Sequence, residues 1–168
     1  MSEKGGLRLF VKGVFMTVDT KHDAAAETVQ HVEDHLELPY ISGDLRAWAE
    51  SLEELLCRAA DATRHLIENE HPQLFKSIVK NHSNLRGEVE KLEQEGSRLP
   101  AAFDDLIQQT QRFAGGIDET ALAGQQFQPM RERLVNEGLS LVLRVRRHRA
   151  AIDTWLSEAM QRDNGVGD

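Results

Sequence analysis

From Thr20 to about Arg162, apolar side chains return every three or four residues, and turn-forming residues cut this rhythm into four long stretches. That spacing keeps one face of a 3.6-residue helix apolar, whereas alternation of period two, the mark of a strand, does not occur after residue 20. In the first stretch Thr20 caps a helix that begins near Lys21 and ends before Pro39, with His22, Ala25, Val29, Val32 and Leu36 on one face. Ser42-Gly43-Asp44 opens the second, in which Leu45, Trp48, Leu52, Leu56, Thr63 and Leu66 hold a single stripe. Pro72 cannot donate to the helix ladder, so a kink is expected near His71 before Leu74, Phe75, Ile78 and Val79 resume the stripe. Asn81-His82-Ser83-Asn84 marks the next turn. The third stretch then runs from Leu85 through Leu92, Leu99 and Phe103 to Phe113, with Gly96 and Pro100 inside it and Gly115-Gly116 at its end. After a weakly patterned segment from Ile117 to Gln128, Pro129 stands where a first-turn proline would open a fourth helix, carried by Leu134, Leu141, Val142, Ile152 and Leu156. Four amphipathic helices joined by short loops predict an all-α fold, an antiparallel up-down four-helix bundle over residues 20–163. Residues 1–19 read as an N-terminal arm and 164–168 as a loose tail.

A chain of 168 residues with 40% hydrophobic and 29% charged residues is long enough for one domain with a real core. Its net charge of −8 repels nucleic acid and anionic membrane surfaces at long range, so neither is expected as a partner. The exception to this acidity is the run Arg144-Val145-Arg146-Arg147-His148-Arg149, read as a solvated face that pairs with carboxylates on neighbouring helices. The apolar segment Leu7–Met16 is interrupted by Arg8 and Lys12 and lacks a small-residue cleavage site, so the expectation is a cytoplasmic protein. Cys57, the sole cysteine, lies among apolar stripe positions and is expected to be a buried thiol in a reducing compartment. Glycine-rich phosphate loops, paired cysteine motifs and a nucleophile elbow do not occur, so a non-enzymatic role is expected.

Histidine placement carries what chemistry there is. His31 and His35 lie four apart and share a helix face, the arrangement of a two-point metal grip. His65 is followed by Glu68 and Glu70, and His148 by Asp153, so each of two further helices presents a histidine with a carboxylate about one turn on. Bundles build metal centres from side chains on facing helices in just this manner.

The run His65-Leu66-Ile67-Glu68-Asn69-Glu70-His71-Pro72-Gln73-Leu74-Phe75 resembles the second-helix signature of hemerythrin-like, cation-binding domains: a histidine, a carboxylate one turn later, then Leu-Phe. The stretch His148-Arg149-Ala150-Ala151-Ile152-Asp153 is similar to that family's fourth-helix pattern of histidine, four residues and an acid. The resemblance implies a four-helix bundle around a non-haem di-iron centre, used for oxygen binding, redox or iron sensing, or signalling. Transferred position by position, it implies His35 on the first helix with His31 as the fallback, His65 on the second, where Asn69 stands at the carboxylate position and leaves the displaced Glu68 or Glu70, and His148 with Asp153 on the fourth. The family's two third-helix histidines have no counterpart between Ser83 and Pro129, and Glu95-Gly96 stands where the first would be. The expectation is therefore a degenerate centre holding a single Fe or Zn ion, or none, in a sensing or signalling domain. The alternative is a metal-free helical scaffold that binds a protein partner or a second copy of itself. A metal protein needs His35, His65, His148 and an acid within mutual reach, whereas a scaffold packs that layer or leaves the histidines outside.

Overall fold

The computed structural model describes residues 24–39, 41, 43–117 and 124–164, and among these no strand occurs. The expected arm at 1–19, His22 and residues 165–168 of the expected tail lie outside them. The first helix, α1, spans 24–36, and the backbone tightens beyond it as the Leu38 amide donates to the His35 carbonyl at 3.3 Å just before Pro39. Gly43 takes φ +108°, a left-handed turn that L side chains resist, and Asp44 then stands at the N-cap of α2 (Leu45–His65).

The kink expected near His71 takes a specific form. The helix widens into a π-turn (Leu66–Glu70), in which the His71 amide donates to the Leu66 carbonyl five residues back, and α3 (His71–Asn81) follows with Pro72 in its first turn. One wide turn accommodates the proline ring and its missing donor without ending the rod. It also advances the helix face by one residue. After Thr63 and Leu66, an unbroken 3.6-residue helix would turn Glu70 inward, but the extra residue places His71 there, and His71 rather than Glu70 is buried.

A short 3₁₀ turn (Ser83–Leu85) leads into α4 (Arg86–Gly96), and α5 (Leu99–Gly116) follows. The third stretch is thus two helices. The break falls at Ser97-Arg98, directly after Gly96 and ahead of Pro100, which α5 takes in its first turn. The last helix, α6 (Gly124–Asn164), begins ahead of Pro129, which lies inside it instead of opening it.

Side-chain contacts fix which helices meet. Between α2 and α5, Arg64 pairs with Asp104 at 3.0 Å, Gln111 donates to Glu53 at 2.7 Å, and Arg46 donates to the Ile117 carbonyl at 2.9 Å, so the two run in opposite directions. Between α1 and α6, Arg131 donates to the Leu38 carbonyl at 2.6 Å, Leu36 lies against Gly138, and Arg146 bridges Glu33 and Gln30. That series also runs oppositely. The Arg146–Glu33 pair bears out the expected pairing of the basic run with a neighbouring helix for that arginine.

The interior divides into two apolar clusters. The larger joins Val32 and Leu36 of α1, Leu52 and Leu56 of α2, Phe113 of α5 and Leu141 of α6. The smaller joins Phe75 and Ile78 of α3, Val89 and Leu92 of α4, and Ile152 and Leu156 of α6. Cys57 departs from expectation: its side chain is exposed. It follows Leu56 by one residue, a rotation of about 100° that carries it off the buried face. Partial desolvation, reinforced by Glu53, Asp61 and Asp104, raises its thiol pKa above the usual value.

Candidate functional site

A polar layer separates the two clusters. His71 and His148 are 5% and 6% exposed, and their rings sit 5.5 Å apart between centroids, inclined at 49°. Phe75 also packs against His71, at 5.5 Å between centroids. Gly96 provides the room for His148: a Cβ at that position would lie 3.1 Å from both Cε1 and Nε2 of the ring. Of the Glu95-Gly96 pair, the glycine is thus the residue pressed against His148.

Thr63, at 4% exposure, belongs to the same layer. Threonine inside a helix ordinarily returns its hydroxyl proton to a carbonyl one turn back. Thr28, Thr110 and Thr154 do so, at 2.7, 2.9 and 2.8 Å. Among the described residues the buried Thr63 hydroxyl has no hydrogen-bond partner. Leaving a buried polar group unsatisfied costs about 1–3 kcal/mol.

Thr63, His71 and His148 border a cavity of about 240 Å³ between α1, the α2–α3 rod and α6. Its walls are mainly apolar, with Ala25 and Val29 from α1, Leu66 and Ile67 from the π-turn, and Leu99 and Ile152 completing them. Arg146, Asp153 and Gln30, which are exposed, and the half-buried Arg149 also line it and mark the mouth. Charges there are matched: Arg146 is held by Glu33, and Arg149 Nε lies 3.8 Å from Asp153 Oδ2.

The residues singled out in the sequence are placed as follows. His35 stacks on Trp48 and donates through Nε2 to the Trp48 carbonyl at 2.8 Å, while Trp48 Nε1 returns a bond of 3.4 Å to the His35 carbonyl. Its neighbour His31 is exposed. His65 has a side chain 53% exposed, with Nε2 3.5 Å from Glu70 Oε1 and Nδ1 accepting from Asn69 at 3.1 Å. Asp153 stands at the cavity mouth, and only His148 of the set lies in the buried layer. Among the described residues no three His, Cys, Asp or Glu side chains gather as a metal site. His35 stacked on Trp48, His65 turned outward and Asp153 at the cavity mouth are thus not brought together with His148 at the centre.

Sequence reasoning passed over His71, whose burial depends on the π-turn, and treated Thr63 only as a stripe position. The signal available for His71 was its place immediately before Pro72, where a helix re-phases if it widens instead of breaking. A second surface feature lies near the turn between α1 and α2: Leu38 and Ile41 are exposed, and the Arg131 guanidinium sits 4.8 Å above the Trp48 ring in the same hollow. No described helix is long and apolar enough to cross a membrane. No family model matches the chain, and neither the curated proteins nor the solved structures contain a significant match.

Proposed function

We propose that the protein is an antiparallel four-helix bundle of the hemerythrin-like kind whose central layer has lost its metal set, and that it serves as a non-enzymatic, metal-free binding module. Four sets of neighbouring contacts support the bundle: α1 with α2 through His35 and Trp48, α2 with α5, α5 with α6, and α6 with α1. The observation that carries the metal-free reading is the dispersal of the candidate ligands: His35 stacks on Trp48, the His65 side chain is 53% exposed, and of the set only His148 lies in the buried layer. Acidic net charge favours proteins or small molecules over nucleic acid as ligands.

A second reading, one Fe or Zn ion bound for sensing, has the buried His71–His148 pair in its favour. Two imidazoles fall short of the four donors of a closed zinc site, and exogenous ligands would have to complete the shell. The deciding experiment is metal analysis of protein purified without chelator, followed by iron and zinc titration of wild type, His71→Ala and His148→Ala. The module reading expects well under one equivalent and no saturable uptake. One equivalent in wild type, lost in both variants, would replace it with the single-ion reading.

A further inference from the structure

We infer that the cavity beside Thr63 is a binding site for a small, uncharged, mainly apolar molecule that carries one hydroxyl or carbonyl oxygen, a phenol being the simplest example. Four observations select that chemistry. The space is about 240 Å³, and a cavity of roughly 150 Å³ lined by aliphatic and aromatic side chains suffices for benzene. Its aliphatic walls reward an apolar body.

Thr63 supplies the polar contact. Its hydroxyl is buried, lines the space and lacks the helix-carbonyl bond made by Thr28, Thr110 and Thr154, so a ligand oxygen would complete it as donor or acceptor. The charges argue for a neutral ligand, because Arg146 and Arg149 at the mouth are already matched by Glu33 and Asp153. A carboxylate entering the apolar interior would be desolvated for little return. The π-turn belongs to the same device: it contributes Leu66 and Ile67 to the wall and brings His71 to the edge of the space.

The inference goes beyond the module reading and does not depend on it, since metal content and ligand binding are separate readouts. The test titrates the full chain, stripped of metal by chelator, with phenol, toluene and benzoate, followed by calorimetry and by thermal unfolding. Saturable one-to-one binding of phenol with a rise in Tm is expected, with toluene about fivefold weaker, the scale of one net hydrogen bond. Benzoate should be weaker again. Thr63→Val keeps the side-chain shape, so it should abolish the preference for phenol over toluene while toluene binding persists. Ala25→Leu, which fills the cavity from α1, should remove both. Absence of saturable phenol binding to wild type, equal affinity for phenol and toluene, benzoate binding tightest, or unchanged phenol affinity in either variant would overturn the assignment. Should Thr63→Val fail to fold, Ala25→Leu and the three-ligand comparison on wild type still decide it.

Discussion

At one end of the molecule, α1, α2, α5 and α6 close around Leu52, Leu56 and Phe113, each almost completely shielded from water. At the other, α3, α4 and the last turns of α6 close around Phe75, Val89 and Ile152, and Leu74, Leu156 and Ala159 stay slightly open to solvent. Four helices contribute side chains to the larger cluster. Among the described residues the smaller end has three helices, two of them only 11 residues long, and the short 3₁₀ turn that supplies Leu85. Between them, the Thr63–His71–His148 layer and its cavity interrupt apolar contact. The difference teaches that the polar layer is a seam: it separates a part that packing alone secures from a part that depends on the helix re-phasing at the π-turn.

The largest test of this contrast is truncation at each end. Phe113→Ala should cost about 3–5 kcal/mol in urea unfolding, and Leu156→Ala less, about 2 kcal/mol, because its site can relax toward solvent. A larger loss at Leu156 would break the comparison. Native-state hydrogen exchange sharpens it without mutation. Amides of α3 and α4 should exchange through a smaller opening than those of α2 and α5, and equal protection would mean a single cooperative unit.

A smaller effect probes the seam itself. Gly96→Ala should destabilise by about 1–2 kcal/mol, since the new Cβ meets the enclosed His148 ring at 3.1 Å. Gly87→Ala, on the same helix with open space around it, should instead stabilise by up to about 1 kcal/mol. Thermal unfolding of the two variants side by side gives the sign of each. Equal stabilisation would mean that His148 moves aside freely and that the seam is soft.

The smallest effect is read at Cys57, on the outer surface of α2 beside the larger cluster. Its thiol pKa is raised in the fold by desolvation and by the nearby acids, so the protonated form is favoured when native. The resulting slight stabilisation is fully present below the unfolded-state pKa and is lost as pH rises through the folded value. Labelling by a disulfide reagent at pH 8 should therefore be slower in native protein than in urea, despite the exposure of the side chain, and the gap should close as pH rises. Equal rates at pH 8 would show that Glu53, Asp61 and Asp104 exert no field on the sulfur.

Much of the helical layout was legible because helical periodicity is a local property. Val29, Val32 and Leu36, or Leu52 and Leu56, identify their own buried face without reference to any other part of the chain. Gly115-Gly116 likewise marked the end of α5. The misreadings arose where one residue of rotation or one distant neighbour decides. Cys57 sits one step off the stripe. Pro129 carries the same local signature whether it opens a helix or interrupts one. The candidate ligands are a separate matter: they were ordered by spacing along single helices, and the structure sets His35 against Trp48 of another helix and His65 on the outer face.

What the amino-acid order determined by itself is the set of amphipathic helices and most of the residues each would bury, since 3.6-residue periodicity and turn chemistry act over a few neighbours. Only the tertiary structure decided which polar groups share the interior. The π-turn ahead of Pro72 exchanged Glu70 for His71 at the buried face, and the packing of α4 against α6 set Gly96 beneath His148. The space left beside Thr63 depends on the joint placement of three rods. Such juxtapositions join residues far apart in the chain, and their free energy comes from shape and burial that no local pattern encodes.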